Sequence, residues 1–398
     1  MNIDYELKLQ ILLRDLHAID YEGLDPSTIR FSPLVLRLAG KESNTIYAKL
    51  RRSIVYRSLT YFGHRLAPEK WAPKARLPKC LALAALANML HDESKVSQER
   101  ARWLLSELNK ERLKDKFTWS HGFPYSIQGA EILAKTPNLV TTYFCYLAYH
   151  TAEYCGVKDL PDEVNWKKIA INSLSVFPTR VYNDLPFYMY TPNSGYFVHN
   201  ANLMAVEMGA ALKACGNCIP NEVEGALLHS IEHFEKSESF PYSAPPSKNI
   251  TEDNYHTGYV LRSLDRIKKF DAYPQYAERI DKILRMGCRR YVDMFIKNNK
   301  VMRDSQSIDT HSLAESLLFL DRFRGMLSTE QVEKLEKAIE CTNQKLWDKK
   351  SKKYKNKLLL IPKTKIAVTD KTSYPRWSQA WMAFAYAQSL APVSRKML

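Results

Sequence analysis

The sequence lacks the features that mark membrane-spanning, exported and nucleotide-binding proteins. It contains no run of about 18 apolar residues, so we expect no transmembrane helix. Its N-terminus has neither the basic start nor the apolar stretch of a signal peptide. The phosphate loops GxxxxGKS/T and GxGxxG are absent, and so are the HExxH zinc motif and the GxSxG nucleophile motif. The sequence therefore predicts none of these common enzyme sites.

The cysteines indicate neither a disulfide framework nor a zinc site. The seven cysteines are an odd number, and most lie in helix-like apolar stretches, which favours reduced thiols in a cytoplasmic protein. Cys215 and Cys218 form a CxxC pair, which we interpret as a helix end followed by a turn. No second cysteine or histidine pair stands nearby to complete a zinc site. We predict no metal and no cofactor.

Acidic residues are the minority, with 43 Asp+Glu against 58 Lys+Arg and a net charge of +15. The excess of basic residues is densest at residues 349–357. Two interpretations stay open: a solvated basic loop, and a surface that attracts an acidic polysaccharide or lipid head groups, with peripheral membrane association. No nucleic-acid-binding motif occurs, so we expect no nucleic-acid partner.

Helical periodicity, by contrast, runs through most of the chain. Leu9, Leu12, Leu13 and Leu16 form an apolar stripe at helical spacing, whereas strand signals and long linkers are scarce. From about residue 78, six segments repeat a polar start followed by a strongly apolar helix. They are residues 79–90, 136–147, 199–212, 251–264, 309–320 and 374–386. Between them lie amphipathic helices, at residues 97–113, 166–176, 223–235, 276–296 and 329–346.

This alternation of apolar and amphipathic helices indicates an inner and an outer layer. Six such pairs predict an all-α fold, an (α/α)6 toroid of six helical hairpins, with the polar starts of the inner helices meeting in one funnel. An open solenoid is the alternative, because periodicity alone does not show closure. We predict a toroid over residues 76–398 and an N-terminal helical extension over residues 1–75, packed on the toroid as one continuous domain.

The polar starts supply the side chains that can do chemistry. Asp253 and Asp309 occupy equivalent positions on neighbouring inner helices, so they can form the carboxylate pair that glycoside hydrolysis needs. An aspartate at the start of a helix is also a common N-cap, and this structural interpretation stays open for both.

Two further chemistries use the same set of residues. Proton abstraction beside a uronic-acid carboxylate, giving β-elimination or C5 epimerisation, needs a base, an acid and a group that neutralises the carboxylate. Asn200, Tyr255, His256 and Arg376 are the candidates for these roles. Sugar 2-epimerisation or aldose–ketose isomerisation by two histidines has His256 and His311 as candidates.

We therefore predict catalytic roles for Asp253, Tyr255, His256 and Asp309. Aromatic residues at the helix starts suit stacking on sugar faces, although in helical proteins they also fill the core. The predicted substrate-binding residues are Trp119, His121, Tyr125, Asn200, Asn202, Asn254, His311, Arg376 and Trp377.

Four stretches of the sequence resemble the VpsJ-like polysaccharide-biosynthesis proteins. They are Trp119-x-His-Gly-Phe-Pro124, the Thr-Pro segment at 136–142, Asn200-Ala-Asn-Leu203 and Asp253-Asn-Tyr-His-Thr-Gly-Tyr-Val-Leu261. The resemblance covers about residues 100–390 in the family's order, and it departs from the family's pattern at Ser120-His121, where a glycine usually follows the tryptophan. The residues carried across are Trp119, Pro124, Asn200, Asn202, Asp253, Asn254, His256 and Thr257.

The resemblance implies a six-hairpin toroid related to glycoside hydrolases, uronate lyases and sugar epimerases, and a role in surface-glycan assembly. We predict a carbohydrate-active enzyme of surface-polysaccharide biosynthesis, acting on an anionic polysaccharide or oligosaccharide by hydrolysis or by proton abstraction of the lyase or C5-epimerase type. The alternatives are a non-catalytic glycan-binding or assembly factor with a degenerate toroid, and a histidine-based sugar 2-epimerase or isomerase.

Overall fold

The computed structural model describes residues 2–26, 28, 33–39, 45–62, 74–92, 94–114, 116–127, 130–160, 164–244, 251–361 and 367–395. Helices dominate this part of the chain. The α-helices are α1 (Asn2–Ala18), α2 (Pro33–Ala39), α3 (Ile46–Phe62), α4 (Pro78–His91), α5 (Lys95–Lys110), α6 (Leu139–Tyr154), α7 (Trp166–Val176), α8 (His199–Ala214), α9 (Glu222–Ser237), α10 (Asn254–Lys269), α11 (Ala277–Phe295), α12 (Thr310–Phe323), α13 (Thr329–Leu346) and α14 (Trp381–Leu390). Among the described residues, no helix is both long enough and apolar enough to cross a membrane.

Six of these helices form a closed inner ring. α4 contacts α6, which contacts α8, and the contacts continue through α10, α12 and α14 back to α4. The outer helices α5, α7, α9, α11, α13 and α1 pack in that order against α4, α6, α8, α10, α12 and α14. The predicted all-α (α/α)6 toroid is confirmed, and the contact between α14 and α4 excludes the open solenoid.

The two layers follow from the apolar patterns of their sequences. In the inner helix α4, every residue except the terminal His91 is buried, because neighbouring helices cover all of its faces. In the outer helix α11, Ile280, Leu284, Cys288 and Tyr291 are buried and recur at helical spacing, which leaves the opposite face for charged residues.

The start of the chain supplies the outer helix of the sixth pair. Leu9, Leu12 and Leu16 of α1 are buried, and the rings of Tyr5 and Tyr386 lie 4.5 Å apart between α1 and α14. The N-terminal segment therefore packs against the last inner helix. Within the predicted extension, residues 1, 27, 29–32, 40–44 and 63–73 lie outside the described residues, and the division of the chain at residue 75 stays a prediction.

Short antiparallel strands join the helices at one end of the ring. They are β1 (Glu22–Gly23), β2 (Ala75–Arg76), β3 (Tyr125–Ile127), β4 (Ala130–Ile132), β5 (Thr179–Tyr182), β6 (Leu185–Tyr188), β7 (Ile296–Lys297), β8 (Lys300–Val301), β9 (Ser307–Asp309), β10 (Trp347–Asp348), β11 (Lys353–Tyr354), β12 (Lys357–Leu360) and β13 (Ala367–Asp370). A three-stranded sheet in the order β13–β12–β9 pairs Lys357 with Asp309, so the end of the basic segment lies beside the start of α12.

Two buried ion pairs connect the inner helices. Arg262 of α10 donates two hydrogen bonds, of 2.8 and 2.7 Å, to Glu315 of α12. Arg266 of α10 donates a bond of 2.7 Å to Glu207 of α8, which also accepts a bond of 2.7 Å from the Tyr143 hydroxyl of α6. Removing one partner of such a pair leaves an uncompensated buried charge, so these contacts fix how the inner helices lie against one another.

The CxxC pair lies where α8 ends. Cys215 is the C-cap residue, and Gly216 has a φ of 75°, in the left-handed region that favours glycine. Both cysteines are free and exposed. The interpretation of this pair as a helix end followed by a turn is confirmed.

Candidate active site

The second residue of every inner segment lies at one cavity. The inner segments begin at Pro78, Leu139, His199, Asn254, Thr310 and Pro375, where Pro375 opens a π-helix (Pro375–Ala380) that leads into α14. The residues that follow these are Lys79, Val140, Asn200, Tyr255, His311 and Arg376, and all six line a cavity of about 260 Å³. The N-terminal ends of the inner helices thus converge on a single depression.

Eight of the predicted site residues line this cavity, and five do not. The eight are His121, Tyr125, Asn200, Tyr255, His256, His311, Arg376 and Trp377. No aspartate or glutamate is among the cavity-lining residues of the described chain. Acid–base chemistry in the cavity therefore falls to imidazole, phenol and amine groups, oriented by carboxylates that lie behind them.

Asp253 and His256 form such an oriented pair at the start of α10. Asp253 is the N-cap, and its Oδ1 accepts a bond of 3.0 Å from the His256 backbone N–H, while its Oδ2 lies 2.8 Å from His256 Nδ1. Burial disfavours the charged carboxylate, but His256 and the charge of Arg303 outweigh it and lower the pKa of Asp253. An ionised carboxylate can only accept, so Nδ1 carries the proton and Nε2 is the basic nitrogen of a cavity-lining residue.

Two tyrosines flank that histidine. The rings of Tyr242 and Tyr255 have their centroids 4.2 and 4.3 Å from the His256 ring. Burial raises the pKa of both phenols well above the ordinary value, so both keep their proton at neutral pH. The cavity therefore places an imidazole beside two phenol donors.

His311 is held rigidly across from this pair. Its ring lies between Tyr255, at 4.4 Å, and Trp381, at 4.5 Å, and its Nε2 is 2.6 Å from the Tyr259 hydroxyl. Burial lowers its pKa well below the ordinary value, so the imidazole is neutral. Its Nδ1 is buried and has no hydrogen-bond partner among the described residues.

His121 is fixed through both of its ring nitrogens. Nδ1 lies 2.6 Å from the Thr141 hydroxyl, and Nε2 lies 3.2 Å from the Tyr190 hydroxyl. The ring also packs 4.6 Å from that of Tyr125, whose hydroxyl accepts a bond of 2.9 Å from Asn138. His121 and Tyr125 therefore form a fixed wall of the cavity.

Asn200 and Arg376 differ in whether their polar groups are already bound within the protein. The buried Oδ1 of Asn200 has no hydrogen-bond partner in the described chain, so this cavity-lining side chain can accept a bond from a ligand. Arg376 donates from Nε to Asp25 Oδ2 at 2.7 Å, and its Nη2 contacts the same oxygen. The positive charge of Arg376 is thus already compensated within the protein.

Three predicted substrate-binding residues lie outside the cavity, which corrects the expectation for them. Trp119 is fully buried and donates from Nε1 to the Leu108 carbonyl at 2.7 Å. Asn202 accepts a bond of 2.9 Å from the Tyr188 backbone and donates to the Ala226 carbonyl, whereas Asn254 donates to Ser316 and accepts from Tyr291. Their polar groups are used by the protein itself, so they shape the fold.

Asp309 also lies behind the cavity lining. It is the N-cap of α12, and its Oδ1 accepts a bond of 2.7 Å from the Ser312 backbone N–H. Its side chain is 1 % exposed, and Arg303 Nη1 lies 3.6 Å away. The two predicted carboxylates therefore do not face each other across the cavity, which corrects the expected hydrolytic pair.

The sequence interpretation missed several lining residues: Lys79, Phe123, Val140, Tyr190, Tyr242 and Tyr259. One signal was available for Lys79, because it holds the same position in its inner helix as Asn200, Tyr255 and His311. Tyr190 and Tyr242 come from connections between helices, and no periodicity marks them.

The comparisons with known proteins concern the fold. No protein-family model and no curated protein sequence matches this chain, so the resemblance to the VpsJ-like proteins stays a prediction. Solved structures do match. A sugar epimerase from a ruminal bacterium aligns over 80 % of this chain and 88 % of its own, with 10 % identity and a TM-score of 0.55. A cellobiose 2-epimerase from Bacillus thermoamylovorans aligns over 79 % and 88 %, with 9 % identity and a TM-score of 0.54.

A possible member of the GH105 family from Salmonella enterica serovar Paratyphi A covers more of the chain. It aligns over 92 % of this chain and 99 % of its own, with 14 % identity and a TM-score of 0.53. At these identities the likeness extends to the fold alone. It agrees with the closed toroid built from the helix contacts.

Proposed function

We propose that the cavity is the active site of a carbohydrate-active enzyme that removes a proton from a sugar carbon next to a carbonyl or carboxylate group. The observation that carries this proposal is the Asp253–His256 pair, with Oδ2 and Nδ1 2.8 Å apart. The carboxylate holds the ring in the tautomer whose Nε2 is basic, and His256 lines the cavity.

A sugar suits the walls of this cavity. Tyr125 and Trp377 offer aromatic surfaces for the C–H face of a pyranose, and Asn200 offers an amide oxygen that has no partner among the described residues for a hydroxyl. Solved structures named as a sugar epimerase and a cellobiose 2-epimerase share the fold, which is consistent with a sugar ligand. The net charge of +15 supports an anionic glycan, and the VpsJ-like resemblance supports a role in surface-polysaccharide biosynthesis.

The proposed first step is common to epimerisation and elimination. The C–H bond breaks, its proton passes to His256 Nε2, and the electron pair is delocalised onto the adjacent carbonyl or carboxylate. Return of a proton to the opposite face of the carbon, from an acid on the other side of the sugar, completes epimerisation. Expulsion of the glycosidic oxygen at the β-carbon completes elimination instead.

A histidine-based 2-epimerase is the second candidate within this chemistry. His311 lines the same cavity, and burial keeps its imidazole neutral. Hydrolysis by paired carboxylates has less support, because Asp253 is bound to His256 and Asp309 lies behind the lining residues.

Proton exchange in deuterated water tests the proposal. Cellobiose and a uronate-containing oligosaccharide are incubated with the protein, and deuterium at C2 or C5 is followed by NMR, together with the ultraviolet absorbance of an unsaturated uronate. We expect exchange or elimination by the wild type and a loss of about 100- to 10,000-fold in His256→Gln.

The matched control is His91→Gln, since His91 pairs with Glu6 at the opposite end of α4 and lies outside the cavity. New reducing ends without exchange or absorbance would mean hydrolysis and would overturn the proposed chemistry. Sugar binding without any turnover would favour the non-catalytic glycan-binding alternative.

A further inference from the structure

Lys79 lines the cavity and has no carboxylate partner among the described residues. It is the second residue of α4 and is only 3 % exposed. Its Nζ lies 4.1 Å from the centroid of the Phe144 ring, 4.9 Å from that of Trp381 and 5.6 Å from that of Tyr259. Three aromatic rings therefore surround an amine that borders the cavity.

No ion pair joins Lys79 to a carboxylate within the described part of the chain. The nearby Asp25 and Glu315 are engaged by Arg376 and Arg262 respectively. Lys79 interacts electrostatically with seven titratable or charged groups: Asp25, His121, Cys145, Arg262, His311, Glu315 and Arg376. Burial, and then the charge of Arg376, lower the pKa of Lys79 well below its ordinary value.

Contact with aromatic faces offsets only part of the cost of burying an ammonium, so a buried amine without a counter-ion either loses its proton or binds an anion. The cavity leaves room for the second outcome. The N-terminal ends of the inner helices also converge there, and their dipoles favour negative charge. Arg376, the residue that the sequence suggested for a substrate carboxylate, already shares its charge with Asp25.

We propose that Lys79 binds the carboxylate of an acidic sugar in the cavity. The inference rests on the proposed function, because it names the substrate class of the same site, a uronate. Phe144, Trp381 and Tyr259 hold the amine in place, and the substrate supplies the missing negative charge. Binding then favours the protonated amine, so protonation of Lys79 on binding is measured as proton uptake.

Calorimetry and turnover together test this inference. D-glucuronate and D-glucose are titrated into the wild type, Lys79→Met and Lys79→Arg in two buffers with different ionisation enthalpies. We expect the wild type to bind glucuronate with net proton uptake and to prefer it over glucose. Lys79→Met should reduce that preference by about 10- to 100-fold, because one charge-assisted bond is lost.

Lys79→Arg separates charge from protonation. An arginine stays protonated, so this variant should keep the preference for glucuronate but lose the proton uptake. The matched surface control is Lys95→Met, since Lys95 is exposed and lies 3.9 Å from Glu99. If Lys79→Met has the same ratio of affinities for glucuronate and glucose as the wild type, the inference is overturned and the proposed function stays in place. A wild type that does not prefer glucuronate over glucose would overturn the inference alone, whereas a wild type without exchange or elimination on the two oligosaccharides would overturn the proposed function and the inference with it.

Discussion

The helices α10 and α12 lie side by side in the inner ring, and each begins with an aspartate N-cap. The two caps have nearly the same backbone, with φ and ψ of −138° and 161° at Asp253 and −133° and 162° at Asp309. Each Oδ1 accepts a bond from the backbone N–H three residues later, of His256 in one helix and of Ser312 in the other.

The second carboxylate oxygen makes the two ends chemically different. In Asp253, Oδ2 lies 2.8 Å from the His256 ring, and the pKa of the carboxyl is lowered in spite of burial. In Asp309, Oδ2 has no hydrogen-bond partner among the described residues, and burial raises the pKa although Arg303 opposes it. One cap therefore also orients a cavity-lining histidine, whereas the other only caps its helix.

The largest expected effect comes from replacing each cap by asparagine, which is an equally good N-cap. Under the proposed function, Asp253→Asn removes the acceptor that sets the His256 tautomer, and it should lower turnover by about 100- to 10,000-fold. Asp309→Asn should change turnover by less than about tenfold, since Asp309 lies outside the cavity. Steady-state rates are compared while circular dichroism checks the fold; equal losses in both variants would abolish the distinction.

The close spacing of α10 and α12 gives a second test, with a smaller expected effect that is measured on stability. A Cβ added at Gly258 would lie 2.3 Å from Glu315 Oε1, an oxygen held by Arg262. Gly258→Ala should therefore push α10 from α12 and destabilise the protein by about 1–3 kcal/mol in chemical denaturation. Gly325→Ala is the control, because no atom lies within 4 Å of the added Cβ. Equal stability of the two variants would show that the close approach of α10 and α12 has no energetic consequence.

The smallest expected effect concerns the pH dependence of stability, to which Asp253 and Asp309 contribute with opposite sign. The lowered pKa of Asp253 gives stability that is present above the unfolded-state pKa and is lost as pH falls through the folded-state value. The raised pKa of Asp309 gives stability that is present below the unfolded-state pKa and is lost as pH rises through the folded-state value.

Melting temperatures of the two asparagine variants at pH 4 and pH 7 measure this difference. Relative to the wild type, Asp253→Asn should be less stable at pH 7 than at pH 4, and Asp309→Asn should be more stable at pH 7 than at pH 4. Each change is on the order of 1–2 °C for a chain of this size. A shift of the same sign in both variants would mean that the two carboxyls titrate alike.

Much of the site could be predicted because helix starts are marked in the sequence. Asp253 and Asp309 precede apolar helices at the same position, and both are N-caps. His256 and His311 follow at the first turn and line the cavity. Trp119 and Asn202 were misassigned, because a polar or aromatic group near a helix start gives no sign of whether it points into the cavity or into the core.

The sequence by itself determined the alternation of apolar and amphipathic helices, and with it the two-layered all-α toroid, because burial on all faces demands an apolar composition. It also placed polar side chains at the start of each inner helix. Only the tertiary structure decided which of these side chains have partners. Asp25 binds Arg376, 351 positions further along the chain, and within the described residues this pairing leaves Lys79 at the cavity without a carboxylate partner.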